Sequence, residues 1–513
     1  MPVLADLFAG FTTLTPLPLG LVVRGIQVDS RLVQPGDLFV AVMDTVDRYK
    51  FIQQVVERGA AAVMGEKDVA DLPIPHIRVA DDRAALAHAA AMFYGQPARD
   101  LTLLGVTGTD GKTTTSNFLY RILQAAGLET GMVTTVNALI GDQVLDTGFH
   151  VTTPEAMDTQ RYLRQMVDAG LTHAVLEMTS HGLAQQRGAR AGEFDIAVVT
   201  NITHEHLDYH GSYDDYLAAK ARLFEGLDAP LEKSRPVERL AILNRDDRSY
   251  EPLRVRFKAR RVTYGLHPEA DVRAEDIENS PETLRFTAMG PGFHIPVETR
   301  LFGHYNIYNA MAALSAAVLG LGIAPEAAAE GIRALEGVPG RMERIDLGQP
   351  FYAIVDFAHT PFALQAALEA GRRITSGRVI AVFGSAGLRD KAKRRMMAET
   401  SLQLADYTVL TAEDPRTESL DGILGEMAAG AVGKGGVEGK TFWRVPDRGE
   451  AIRFALTLAQ PGDLVMALGK GHEQSMCFIE TEYAWDDRTA MRSALSEYLG
   501  VEGPKMPHLP TQG

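Results

Sequence analysis

The sequence predicts an α/β protein of three domains, and three features carry that expectation. With 513 residues, the chain exceeds the size at which one hydrophobic core keeps growing, and ~150 residues per domain implies about three units. Short apolar runs alternate with helix-length segments along nearly the whole chain, the pattern of parallel strands covered by helices. Turn-rich breaks near residues 98 and 337–341 divide this alternation into blocks 1–97, 98–337 and 338–500, with the tail 501–513 expected to fray.

In the first block LFVAV, AAVMG and IRVA read as strands around the helix-like FIQQVVERGAA, and GQPARD ends the unit. The second opens with LTLLG, a glycine turn, and TTTSNFLYRILQAAG, whose apolar residues recur at helical spacing and stop at Gly127. HAVLEM, DIAVVT and LAILN are further strands, separated by helices such as EAMDTQRYLRQMVDAG and YDDYLAAKARLFEGL. A parallel sheet with helices on both faces follows. Residues 271–300 alternate and are turn-rich, which reads as a short antiparallel excursion. Beyond GVPGR, the strands YAIVDF, RVIAVFG, YTVLTA and DLVMALG alternate with helices and build the third unit.

Hydrophobic residues make up 46% and charged residues 23% of the chain, so folding throughout is expected. A net charge of -15 argues against nonspecific nucleic-acid binding, which needs a basic face, but leaves room for a local basic pocket. Cys477 is the only cysteine. An intrachain disulfide and a thiolate zinc cluster are therefore excluded, and a cytoplasmic location is expected. The opening MPVLADLFAGFTTLTPLPLGLVV has no positive charge before Arg24 and is broken by proline and glycine, so it matches neither a signal peptide nor a spanning helix.

Residues 106–115 read VTGTDGKTTT. Walker A places four residues between its first glycine and Gly-Lys; here only Thr109 and Asp110 separate Gly108 from Gly111, and Val106 stands at the earlier glycine position. The physics of an anion site survives, because a strand, a tight turn and a helix N-terminus offer N–H groups and a positive dipole end. Lys112 would neutralise outer phosphates and Thr113 could ligate magnesium, with Thr114 beside them. An ordinary strand-to-helix turn is the competing reading of this stretch alone.

GVTGTDGKTTT resembles TGTNGKTT, the ATP site of the Mur ligases, with Asp110 replacing the more usual Asn; both tolerate such turns. LEMTSHGLAQQR (176–187), NITHEHLDYHGSYDDYLAAK (201–220), GHYNIYNAMAA (303–313), GRMERI (340–345), VDFAHTPFAL (355–364), FGSAGLRDKAKR (383–394), EDPR (413–416) and GKGHE (469–473) match further family motifs in order, as does VDSRLVQPGDLFVA at 28–41. The resemblance spans about residues 25–495. It implies a three-domain Mur ligase architecture: an N-terminal UDP-sugar domain, a central P-loop-type parallel-sheet domain for ATP, and a Rossmann-like C-terminal domain for an amino acid. The implied activity is ATP-dependent addition of a diamino acid to the D-glutamate side-chain carboxylate of UDP-N-acetylmuramoyl-L-alanyl-D-glutamate, through an acyl phosphate, in peptidoglycan synthesis.

The resemblance also implies roles residue by residue. Lys112, Glu177, His206 and Lys220 would be catalytic, with Thr113, Glu177, His206 and Lys220 holding magnesium. Spacing does not choose among His204, His206 and His210; the family motif selects His206. Lys220 taken alone reads as a surface lysine on YLAAKARLF, but the matching family lysine is carbamylated, and burial would supply the neutral amine which that reaction needs. Gly108, Thr109, Asp110, Gly111, Lys112, Thr113 and Thr114 would cradle ATP. Asn306 and Asn309 would help hold the nucleotide, Arg341 its phosphates and Asp356 its ribose.

Val28 and Ser30 match uridine contacts, and Thr152, Thr153, Thr179, Gln185 and Arg187 match contacts to the muramyl peptide, although TTPE also fits a helix N-cap. Arg389, Asp414, Arg416, Gly469 and Glu473 would meet the amino acid. Expected partners are thus ATP, Mg²⁺, the UDP-N-acetylmuramoyl dipeptide and a free diamino acid, with no nucleic acid or membrane, and the chain is expected to act as a monomer.

Family members that use meso-diaminopimelate carry DNPR where this chain has EDPR. Asp414 adds negative charge where a distal carboxylate would need acceptance, which favours lysine or ornithine, whereas the retained Arg416 keeps diaminopimelate in play. A folylpolyglutamate or cyanophycin-type ligase shares the central motifs but gives no reason for PGDLFVA or GKGHE. A noncatalytic nucleotide-binding subunit would not need Lys112, Glu177, His206 and Lys220 together.

Overall fold

A computed structural model describes residues 1–511 except 44–46, 146–152, 204–206, 230 and 281–282. Three main sheets follow one another along the chain. The first pairs the strands Ile26–Gln27, Leu38–Val40, Ala62–Gly65 and His76–Arg78 in parallel and in that order. The helix Asp82–Phe93, N-capped by Asp81, contributes alanines to the core on one face.

The central sheet has eleven strands. Thr102–Thr107, buried along its whole length, lies between His173–Glu177 and Ile196–Val199, and all three are parallel. A strand buried on both faces explains why LTLLGVT reads as a continuous apolar run, not an alternating one. Leu240–Asn244 and Arg260–Gly265 extend the parallel order on one side. Beyond them Val272–Asn279, Leu284–Gly290 and Phe293–Thr299 form the antiparallel meander expected at 271–300.

The far edge corrects the purely parallel expectation. Thr130–Val133 runs parallel to His173–Glu177, but Ala138–Ile140 and Gln143–Leu145 fold back antiparallel, so the sheet is mixed at both ends. These short segments lie in TGMVTTVNALIGDQVL, where glycine and threonine blur the apolar period. Two separate cores, one on each face of the sheet, pack against the helices Lys112–Ala125 and Tyr213–Glu225 respectively.

In the third sheet Tyr352–Asp356, Leu464–Leu468, Val379–Phe383, Tyr407–Leu410 and Phe442–Arg444 are parallel and adjacent in that order, with the short antiparallel Glu343–Arg344 at one edge. The last long strand in sequence therefore inserts between the first two, and the loops leaving the carboxyl ends of these strands are brought together. Ligands collect at such crossover points in α/β sheets. The tail corrects another expectation: residues 501–511 form neither helix nor strand, yet Leu509 is fully buried and Thr511 Oγ1 donates to Asp447 Oδ2 at 2.6 Å. Leu509 in the core, Met506 packed against it and the Thr511–Asp447 bond anchor a segment that composition marks as loose.

Candidate active site

The turn after Thr102–Thr107 enters the helix Lys112–Ala125 through Gly111, its N-cap, at φ 84°. A Cβ there would collide with the Asn309 side-chain oxygen, so glycine is required both by backbone angle and by space. No side chain caps this helix. Its first N–H groups are left facing outward, as an anion site needs.

Neighbouring elements hold the turn. Thr109 N donates to Asn201 O at 2.7 Å, Asp110 N to Asn201 Oδ1 at 3.1 Å, and Thr200 Oγ1 to Asp110 O at 2.6 Å. Thr109 Oγ1 accepts from Thr203 N at 2.9 Å. Thr200 and Asn201 leave the carboxyl end of the adjacent strand, and their role in shaping the turn was missed from sequence; NITHEH drew attention only to its histidines.

A cleft of about 730 Å³ lies between the central and third units. Of the nucleotide set, Thr109, Asp110, Gly111, Lys112, Thr113 and Thr114 line one wall, joined by Asn306, Asn309, Arg341 and Asp356. Gly108 stands behind them. Thr113 Oγ1 donates to Glu177 Oε2 at 3.0 Å, and both residues are buried. Arg341 reaches across from the third unit, with Nη2 at 3.3 Å from Thr113 Oγ1 and its guanidinium 4.5 Å from the Phe357 ring centroid. Lys112 Nζ donates to Thr109 O at 2.7 Å, folded over its own turn.

Asn309 Nδ2 donates to Asn306 Oδ1 at 2.9 Å, and Asn309 Oδ1 accepts from Thr115 Oγ1 at 3.3 Å, tying two helices at the turn. Asp356, at the end of its strand, accepts from Met342 N at 2.7 Å and Ala358 N at 2.9 Å. Burial lifts its carboxyl above the ordinary range, against the pull of Arg341 and the N–H donors.

Lys220 is not the surface lysine that its helix suggests. It is 1% exposed, Nζ donates to Gly108 O at 2.6 Å, and the Tyr216 ring centroid lies 4.6 Å away. It thus supports the glycine turn from behind and does not line the cleft. His204, His206 and Thr152 fall outside the described residues.

The proposed peptide contacts form a second group near the N-terminal unit. Thr153 Oγ1 and Thr179 Oγ1 are 2.9 Å apart, and Thr179 caps a short helix through Gly182 N at 3.0 Å. The N-cap reading of TTPE fails here: the cap position of Ala156–Asp168 is Glu155, without a side-chain cap bond. Glu155 instead pairs with Arg187 and with Arg83 of the N-terminal unit, each at 3.2 Å. Gln185 Nε2 donates to Tyr209 OH at 2.9 Å. Ser30 is buried and Val28 partly buried, and Val28 O accepts from Arg48 at 2.7 Å, all within the N-terminal unit.

The third group sits on loops of the C-terminal unit. Arg389 lines the cleft, whereas Asp414, Arg416, Gly469 and Glu473 do not; Asp414 and Gly469 are buried and Arg416 and Glu473 partly buried. Asp414 is not an isolated charge: Lys470 Nζ lies 3.0 Å from Oδ1, and Cys477 N donates to the same oxygen at 2.9 Å. Lys470, fully buried, also contacts Glu473 Oε2 at 2.5 Å. Burial works against its charge, but Glu473 and Asp414 outweigh burial and hold the ammonium above its ordinary pKa. Nothing in GKGHE as a sequence signals that Lys470 pairs with Asp414.

Asp414, Arg416, Leu388 and Ile479 have φ of 39°, 53°, 56° and 59°. Such non-glycine left-handed backbone costs of order 1–3 kcal/mol per residue and clusters where function needs it. Glu413, also missed, is buried beside Gly469; its Oε2 has no hydrogen-bond partner among the described residues, and burial raises its carboxyl.

The sequence pattern of the Mur ligase middle domain matches residues 106–317, and that of the Mur ligase glutamate ligase domain matches 340–471. A UDP-N-acetylmuramyl-tripeptide synthetase of Roseiflexus sp. strain RS-1 is 44% identical over 95% of this chain and 97% of its own length. A UDP-N-acetylmuramoyl-L-alanyl-D-glutamate--2,6-diaminopimelate ligase of Geobacillus thermodenitrificans is 40% identical over 92% and 94%. A solved structure of a ligase with that same description aligns at TM-score 0.63 and 30% identity, covering 93% of this chain and 95% of the other. Folylpolyglutamate synthase of Mycobacterium tuberculosis shares the fold at TM-score 0.60 with 16% identity. The chain belongs to the Mur ligase family, in its UDP-N-acetylmuramyl-tripeptide synthetase branch, and is an ATP-dependent ligase.

Proposed function

We propose that this ligase joins a diamino acid to the D-glutamate side-chain carboxylate of UDP-N-acetylmuramoyl-L-alanyl-D-glutamate in the cytoplasm, as a monomer. The observation that carries the reading is the shared cleft, in which Lys112, Glu177 and Thr113 of the central unit face Arg341 and Arg389 of the third. No helix among the described residues is long and apolar enough to cross a membrane, in keeping with soluble substrates.

A carboxylate has a poor leaving group, so it must be activated before an amine can displace oxygen. A carboxylate oxygen of the dipeptide attacks the γ-phosphorus of ATP and ADP leaves. The amine then attacks the acyl carbon, and the tetrahedral adduct expels phosphate. The first step brings several negative charges within a few ångströms, where unscreened repulsion is large. Lys112, Arg341 and the free N–H groups of the helix Lys112–Ala125 supply positive potential where that charge concentrates.

Thr113 and Glu177 place two buried oxygens side by side, a donor set suited to a hard cation. They, with His206, would hold Mg²⁺, which when bound adds charge neutralisation at the phosphates, and Lys220, behind the turn, would join them only through a carbamate on its Nζ. Lys220 is enclosed, with Nζ donating to Gly108 O at 2.6 Å, and it is the amine whose neutral form would react with carbon dioxide.

Lysine or ornithine is preferred over meso-diaminopimelate. Asp414 and Glu473 share the single ammonium of Lys470, so this cluster retains one negative charge in excess where an Asn at position 414 would leave it balanced. A distal ammonium gains from that excess and a distal carboxylate loses. Arg416, two residues beyond Asp414, opposes the preference. The test is ADP release with each of the three amino acids and the UDP-dipeptide, with mass detection of the product. Faster turnover with diaminopimelate would defeat the charge argument, and no turnover with any of them would defeat the ligase assignment to this substrate.

A further inference from the structure

Beneath the loops that carry Asp414 and Glu473 lies an ion pair that the reaction scheme does not use. Arg448, the first residue of the helix Arg448–Leu458, pairs with Asp487, the first residue of Asp487–Leu499, at 2.7 and 2.6 Å, and both side chains are 0% exposed. The same guanidinium donates to two backbone carbonyls, Ala412 O at 3.1 Å and Leu468 O at 2.8 Å. Trp485 Nε1 donates to Asp487 Oδ1 at 2.8 Å and helps fix the carboxylate.

The two carbonyls belong to different strand ends. Leu468 closes the strand Leu464–Leu468, and Ala412 lies two residues past Tyr407–Leu410; the strand Val379–Phe383 runs between them. One residue further on stand Glu413 and Gly469, and two residues further on Asp414 and Lys470, which pair at 3.0 Å. Arg448 therefore spans the middle strand and holds the roots of both loops.

A fully buried ion pair is weak evidence for stability, since desolvation offsets its attraction and apolar replacements often do as well. A planar guanidinium with several fixed donors can, however, set the distance between groups, which an ammonium cannot do. We propose that Arg448, held by Asp487, is a positioning residue for the diamino-acid subsite, fixing the separation of the 413–416 and 469–473 loops. This rests on the reading that those loops receive the diamino acid.

The test is steady-state kinetics of the full-length enzyme with each substrate varied in turn. Arg448→Lys keeps the charge but cannot reach both carbonyls and both carboxylate oxygens; KM for the diamino acid should rise on the order of ten-fold, while KM for ATP and for the UDP-dipeptide stays within about two-fold. Asp487→Asn keeps the shape, should move the same constant in the same direction by less, and carries the test if Arg448→Lys does not fold. An unchanged diamino-acid KM in the folded variants, or parallel rises in all three, would overturn the positioning role alone. Wild-type ADP release that ignores every diamino acid would overturn the subsite reading and this inference with it.

Discussion

The turn proposed to hold phosphate and the loops proposed to receive the diamino acid both lie at the carboxyl end of a sheet, but they are built differently. The turn is one contiguous segment that leads into the uncapped N-terminus of Lys112–Ala125, braced from outside by Thr200, Asn201 and Lys220. The diamino-acid loops join segments 56 residues apart through Asp414 and Lys470, on left-handed backbone and over a buried Arg448–Asp487 pair. A phosphate is recognised by generic positive potential, which a short turn can provide. A diamino acid must be distinguished from close relatives, which takes a local charge balance fixed by several distant groups.

The largest expected effect would break the turn. Lys112→Ala removes a fixed cation from the phosphate wall and should lower kcat for ADP release by about 10²–10³-fold; retention of full activity would mean that the backbone alone suffices. Gly111→Ala attacks the same region through conformation. A Cβ at φ 84° facing Asn309 should cost of order 1–3 kcal/mol, read as a lower Tm together with weaker ATP binding, and an unaltered Tm would show that the turn relaxes freely.

The next prediction sharpens the contrast. Asp414→Asn restores charge balance around Lys470 and should shift the ratio of kcat/KM for diaminopimelate over lysine upward, on the order of ten-fold, with little change in KM for ATP. A comparable shift from any substitution in the phosphate turn would erase the distinction between the two regions.

The smallest effect concerns Glu413. Burial raises its folded pKa above the ordinary 4.5, so its stabilising contribution is complete below that value and is lost as pH rises through the folded pKa. Glu413→Gln should accordingly raise Tm near pH 8 by about 2 °C, with the gain fading as pH falls toward 4.5. A gain that is the same at both ends of the range would remove the buried charge as its cause.

The two regions also differ in how far they could be read in advance. The turn was legible because its parts are neighbours in sequence: an apolar strand, glycines at the bend and a helix start at Lys112. The loops were legible only as motifs. EDPR revealed the extra acid at Asp414, but not that Lys470 would neutralise part of it, since that pairing depends on the strand Leu464–Leu468 inserting beside Val379–Phe383. Lys220 illustrates the same limit, because nothing in YLAAKARLF says that its ammonium is buried against Gly108 O.

By itself, then, the sequence determined the α/β alternation, the position of the glycine turn before Lys112–Ala125 and the family, because these depend on local periodicity and on short contiguous patterns. Only the tertiary structure decided which charges are shared, which are buried, and which strand ends Arg448 ties together. Electrostatic partnership depends on distance and burial in space, and the order of residues along a chain fixes neither.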